Sequence, residues 1–220
     1  MSKIEIACFN PESAMTAFEN GADRIELCDG LNEGGTTPDF ETTKQLRAKI
    51  HIPIFVMIRP RGGDFTYSDA EFEQMKKDLV QLKSLKADGF VFGILNENDE
   101  VNIERNRILV EMADPLPCTF HRAFDRAEDL ESSLEKVIDC GFKTILTSGQ
   151  KPNVSEGKEN LKKLVELSDG RIEILVGGGL RSTNIDEIRE FTNAGYFHSS
   201  AITDGGAFAS ADEVQALKNK

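Results

Sequence analysis

Residues 171–200, RIEILVGGGLRSTNIDEIREFTNAGYFHSS, hold one complete strand–helix–strand unit. The near-continuous apolar run Ile172–Val176 reads as a strand covered on both faces, as in a parallel sheet. Three glycines turn the chain into a helical pattern, Asn184–Ala194, whose apolar residues recur at helical spacing. Gly195 follows as a left-handed cap, and a second apolar run, Tyr196–Ser199, gives the next strand.

The same unit recurs outward in both directions. Strands are predicted at Ile4–Phe9, Arg24–Cys28, Ile54–Arg59, Gly89–Leu95, Cys118–His121 and Thr144–Thr147 in addition to the two above. Helical patterns lie between them at Ser68–Lys86, Ile103–Met112, Leu130–Cys140 and Asn160–Leu167, with a last one at Ala211–Lys218. Gly21, Gly141 and Gly170, like Gly195, precede strands and fit left-handed helix caps. Eight units in 220 residues sit near the lower limit for a closed eight-stranded barrel. An open doubly wound sheet would show a glycine-rich turn after the first strand, where this chain has Asn10-Pro11. The expected fold is therefore α/β, one (β/α)8 TIM-type barrel domain over residues 1–220.

Composition narrows the function. Against 26 basic side chains stand 38 acidic ones, a net charge of −12 that repels nucleic acid and anionic membrane surfaces. Neither a long apolar run nor a secretory leader is visible, so a soluble, cytoplasmic chain is expected. The four cysteines, Cys8, Cys28, Cys118 and Cys140, form no close pair and read as buried, reduced thiols. Twofold assembly is common among soluble proteins, which makes a homodimer the expected oligomer.

In a barrel the chemistry gathers at the carboxyl ends of the strands. Glu5 and Glu26 interrupt apolar strands and should point inward, sharing the interior with Ala7 and Cys28, whereas Cys8 should face the helices. The two carboxylates either line a site or pair with interior arginines as an ionic network. MIRPRGGDF (57–65) offers Arg59 and Arg61 on a rigid loop suited to a carboxylate or phosphate; the alternative is a surface loop of paired arginines. FHRAFD (120–125) sets the titratable His121 beside Arg122 and near Asp125, apt for proton transfer or for orienting a charged ligand. Gly177, Gly178 and Gly179, with Ser148, Ser199 and Ser200 on neighbouring strand tips, mark the region where many barrels hold phosphate. For an enzyme, Glu26 or His121 would be acid or base, Arg59 would stabilise developing negative charge, and Asp125 would orient a partner. Arg61, Arg122 and the glycine and serine positions would bind a small anionic ligand.

RIELCDGLNEGGTTPD (24–39), FVMIRPRGGDFTYSDAE (55–71), GFVFGIL (89–95), TFHRAFD (119–125), ILTSG (145–149), GGGL (177–180) and FHSSA (197–201) together resemble the CutC family. That resemblance covers essentially the whole chain. It implies a (β/α)8 barrel, a cytoplasmic location and an association with copper homeostasis, with copper as a possible bound metal and Cys28 as its ligand. The chain departs from the family where a cysteine often follows the first-strand glutamate by two residues, a position held by Ala7. Gln150 replaces the last glycine of the family's TSGG, and the loop NENDEVN (96–102) lacks the usual Asp-Gly turn. Two functions compete: a copper-handling protein, and an enzyme or binding protein for a small phosphorylated or carboxylated metabolite.

Overall fold

The computed structural model describes residues 2–220 as a closed barrel of eight parallel strands in the order β1 to β8, each followed by a helix. The strands are β1 (Lys3–Cys8), β2 (Arg24–Leu27), β3 (Ile54–Met57), β4 (Gly89–Phe92), β5 (Cys118–Phe120), β6 (Thr144–Thr147), β7 (Glu173–Gly177) and β8 (Tyr196–Ser199). The helices are α1 (Pro11–Glu19), α2 (Phe40–Arg47), α3 (Asp69–Ser84), α4 (Ile103–Ala113), α5 (Leu130–Asp139), α6 (Val154–Ser168), α7 (Ile185–Thr192) and α8 (Ala211–Lys218). No helix is long and apolar enough to cross a membrane among the described residues.

Strand alternation divides the core in two. One set of side chains, including Ile4, Ile6, Cys8, Ile25, Leu27, Val56 and Phe197, packs outward against the helices. The other set fills the barrel: Cys28, Phe55, Met57 and Val91 form one inner cluster and Leu146, Leu175 and Tyr196 another. The register sets Glu5 beside Arg24 on one side and His198 on the other, and Ala7 beside Glu26. Glu5 and Glu26 thus face inward as expected, and Cys8 faces the helices.

The differences from the sequence reading are local. Several predicted strands run on too far at their carboxyl ends. Arg59, Leu95 and His121 lie beyond the strand ends, although the Ile58 and His121 N–H groups still donate to the Val91 and Phe92 carbonyls (2.8 and 3.1 Å) and Leu95 bridges to Val101. The helices α1 and α2 escape the pattern because they bury small or few apolar residues, Ser13, Ala14 and Ala17 in α1 and Thr43 and Leu46 in α2; α1 starts on an Asn10 cap with Pro11 in its first turn. Helix α6 begins six residues before Asn160, where Asn153 accepts the Glu156 N–H, and Gly157 in its first turns masks that start. Gly21, Gly141 and Gly170 adopt the left-handed conformation expected of them, but Gly195 does not; Asn193, at φ 57°, turns the chain out of α7 in its place.

Candidate anionic-ligand site at the barrel mouth

The carboxyl ends of the strands surround a cavity of about 220 Å³. Its lining includes Glu26, Arg59, His121 and Arg122 from the first five units, and Gly178, Gly179, Ser199 and Ser200 from the last two. The strand-tip expectation therefore brings eight of its residues to one place. Cys28, Arg61, Asp125, Ser148 and Gly177 are not part of the lining.

Four of these absences have a local cause. The Arg61 guanidinium folds onto the start of α3, where it donates to Glu71 (2.6 Å), Asp64 (3.0 Å) and the Thr66 carbonyl (2.8 Å), so its charge is already met. Asp125 is nearly enclosed. It accepts from Thr147 Oγ1 (2.5 Å), from the Ser148 and Gln150 N–H groups (3.0 Å each) and from Arg122 Nε (2.7 Å), so it positions Arg122 and the loop after β6. Ser148 Oγ accepts from Arg122 Nη2 (2.8 Å) and belongs to the same bracket. Gly177 leaves room for Leu146 and His198, whose side chains would crowd a Cβ at 2.6 and 2.9 Å. Gly178 has φ 110°, and a Cβ there would meet the Arg122 guanidinium carbon at 3.1 Å, so glycine lets that cation pack on the turn after β7.

Arg59 is only 3% exposed and staples two loops: it donates to the Glu33 and Gly35 carbonyls (2.8 Å each) and to the Gly63 carbonyl (3.0 Å), and its Nε has no partner. Arg181, absent from the sequence-based site, also lines the cavity, donating to the Leu180 carbonyl (2.7 Å), Ser199 Oγ (3.1 Å) and the Ile202 carbonyl (2.9 Å). Its signal was present in GGGLR, a cation two residues past the glycines. Among the described residues neither Arg59 nor Arg181 has a carboxylate within ion-pair distance, whereas Arg24, Arg61 and Arg122 all do.

His121 is enclosed. Its Nδ1 accepts the Ala123 N–H (3.2 Å), its Nε2 is buried without a partner, and its ring packs on Phe65 at 4.9 Å. Burial, reinforced by the Arg59 charge, holds its pKa down to about 3. It is thus a neutral ring at physiological pH, with Nδ1 as acceptor and Nε2 as hydrogen-bond donor.

A second histidine does lie in an acid–base setting. His198 Nδ1 is 2.7 Å from Glu5 Oε1, Glu5 is paired on its other side with Arg24, and His198 Nε2 is 3.9 Å from Glu26 Oε2. Burial alone would raise the Glu5 pKa, but Arg24 and His198 outweigh it and hold it at about 2. For Glu26 burial prevails over the pull of His198 and raises the pKa. Burial opposes charge on His198, yet Glu26 and Glu5 together raise its pKa. Sequence reasoning gave His198 no role because its partner Glu5 lies 193 residues away and is reached only when β8 closes on β1.

Glu5, Glu26 and His198 place one potential ligand atom each within 4.8 Å of one another, a possible metal-binding cluster. It does not fit cuprous ion, which prefers at least two soft sulfur ligands. Cys28 is the single inward thiol near the cluster, 3.5 Å from Glu26 Oε2, and burial followed by the Glu26 charge pushes its pKa well up, away from thiolate. Cys8 turns its sulfur to the Ile6 carbonyl in the helix-facing layer.

The family model for the CutC family matches residues 2–203. The human copper homeostasis protein cutC homolog is 46% identical over 198 residues, covering 90% of this chain and 72% of that protein. A CutC family protein of Proteus mirabilis is 43% identical over 203 residues, covering 91% of this chain and 80% of its own length. A crystal structure of CutC from Streptococcus agalactiae superposes with TM-score 0.88 at 35% identity, covering 92% of this chain and all of that one. Phosphoribosylanthranilate isomerase of Thermotoga maritima, at TM-score 0.68 and 15% identity, shares the fold alone. With a family match along nearly its whole length and a closely superposing barrel in a solved relative, the chain belongs to the CutC family.

Proposed function

We propose that the barrel mouth binds a small phosphorylated or carboxylated metabolite. One observation carries this reading: two cavity-lining guanidinium groups, Arg59 and Arg181, lack a carboxylate partner in a chain whose net charge is −12. Arg59, a buried cation met by carbonyl dipoles alone, is costly to hold, and a bound anion offsets that cost; Arg181, half-buried, adds a second guanidinium to the same cavity. The cavity is smaller than the roughly 300 Å³ where drug-sized pockets begin, which suits a ligand of a few carbons.

Thermal unfolding in graded phosphate, sulfate and sugar phosphates tests the reading. A ligand at 100 times its Kd adds about 2.7 kcal/mol, which for a domain of this length raises Tm by roughly 5–10 °C. Arg181→Gln should abolish the shift, and it is a cleaner variant than Arg59→Gln because Arg59 also holds loops together. An undiminished shift in both variants would remove the arginine site.

Copper enters through the relatives' name. The single inward thiol leads us to expect that reduced protein yields Cu(I) to a competing chelator and that Cys28→Ser changes nothing. Stoichiometric Cu(I) retained by the parent and lost in Cys28→Ser would reverse that expectation.

A further inference from the structure

Beneath the arginine rim the cavity floor has a chemistry of its own. Arg24, Glu5, His198 and Glu26 form a chain across β2, β1 and β8 that starts in the closed interior and ends at the cavity. Glu5 is fully engaged, between Arg24 and His198 Nδ1. Accepting the Nδ1 proton fixes the imidazole tautomer and leaves Nε2 as the free nitrogen. Glu26 differs from Glu5: its Oε1 is buried without a partner, and its Oε2 stays 3.9 Å from Nε2, beyond hydrogen-bond reach. A purely structural ionic network would close that gap and satisfy both oxygens. A metal would find Glu5 already committed, leaving one nitrogen and one carboxylate. What the floor presents is an imidazole nitrogen and a carboxyl group, side by side, both lining the space under two unpaired arginines.

We propose that His198 and Glu26 are the base and acid of a proton-transfer reaction on a small hydroxy-carbonyl compound whose phosphate or carboxylate is held by Arg59 and Arg181. This rests on the anion-binding reading above and adds a reaction to it. His198 Nε2 takes the proton from the carbon beside the carbonyl, and the C–H electron pair becomes the carbon–carbon double bond of an enediol. The carbonyl π pair moves onto oxygen, which takes the carboxyl proton of Glu26. Glu5 steadies the imidazolium that results. Return of the proton to the neighbouring carbon, with the hydroxyl proton going back to Glu26, yields the isomeric carbonyl compound with no net redox change and no co-reactant. The cycle needs one proton held between the two groups, on Glu26 when His198 acts as base.

The test incubates the protein in D2O with dihydroxyacetone phosphate, ribulose 5-phosphate and 3-hydroxypyruvate, each first checked for an Arg181-dependent thermal shift. Proton NMR then follows loss of the C–H signal beside the carbonyl. We expect deuterium exchange in at least one bound compound, slowed about 100-fold or more in Glu26→Gln and in His198→Asn with binding retained. Glu26→Gln is nearly isosteric at a position with one unpartnered oxygen, so folding survives in at least that variant. Binding without exchange in any compound overturns the proton-transfer proposal and leaves the anion site standing; failure of all three to bind overturns both. Exchange unchanged in the two variants, or abolished by a chelator and restored by a divalent metal, also overturns it.

Discussion

Replacing Gly157 by alanine is expected to destabilise the protein by on the order of 3 kcal/mol, although helix propensity alone favours the change by about 1 kcal/mol. Gly157 lies in the first turns of α6, where a Cβ would come within 1.8 Å of the Ser148 carbonyl oxygen and 3.3 Å of the Gly149 Cα. Both neighbours are backbone, so no side-chain rotation relieves the clash; the helix must move off the strand end or the loop after β6 must shift. That loop is held from the other side by Asp125, which binds the Ser148 and Gln150 N–H groups and Arg122. Overpacking at Gly157 is therefore expected to disturb the Arg122 edge of the mouth as well as stability. Urea unfolding decides the sign: a variant as stable as the parent, or more so, would show that the helix does not approach the strand this closely.

Arg24→Met is expected to cost about 3–5 kcal/mol at neutral pH, because it leaves the wholly buried Glu5 carboxylate with His198 as its single charged partner. The pH dependence gives an independent check. Glu5 has a folded pKa of about 2, below its ordinary 4.5, so its contribution is complete above pH 4.5 and is lost as pH falls toward 2. That contribution is on the order of 3 kcal/mol, since each pH unit separating the folded from the unfolded value is worth about 1.4 kcal/mol. Without Arg24 most of the depression disappears. The stability gap between parent and variant should then be widest at pH 7 and narrow at pH 3, measured by urea unfolding at each pH. A gap that stays constant, or widens in acid, would mean that Glu5 is not held ionised by Arg24. Methionine keeps part of the Arg24 stem but not the guanidinium stacked over the Phe55 (4.0 Å) and Tyr196 (4.6 Å) rings; loss of those contacts adds a pH-independent part to the gap, so the test is how far the gap narrows in acid.

Much of the barrel is legible in the order of residues because each unit carries its own signals. Strands β6 and β8 and helix α8 fall where their patterns place them, since apolar runs and flanking caps are local properties. Helices α1 and α2 are not legible in the same way: their buried faces are made of small or polar residues, Ser13, Ala14 and Ala17 in α1 and Thr43 with Leu46 in α2, which give no run of large apolar side chains to read. At the mouth, the convergence of Glu26, Arg59, His121, Arg122 and the glycine and serine tips follows from the rule that strand ends of a barrel meet on one face. Sequence could not divide Arg59 from Arg61. The two are separated by Pro60 alone, yet one enters the cavity while the other is captured by Glu71 on α3.

By itself, then, the sequence determined the alternation of elements, the inward faces of β1 and β2 and the family, because all three are written in near-neighbour spacing or in runs of matching residues. The tertiary structure alone decided which charges remain unpaired. Closure of β8 on β1 joins Glu5 to His198 across 193 residues, and the loop paths leave Arg59 and Arg181 without carboxylates while satisfying Arg61 and Arg122. The reason is physical: a charge is neutralised or free according to what lies within a few ångströms of it, and in a closed barrel those neighbours come from strands remote in sequence.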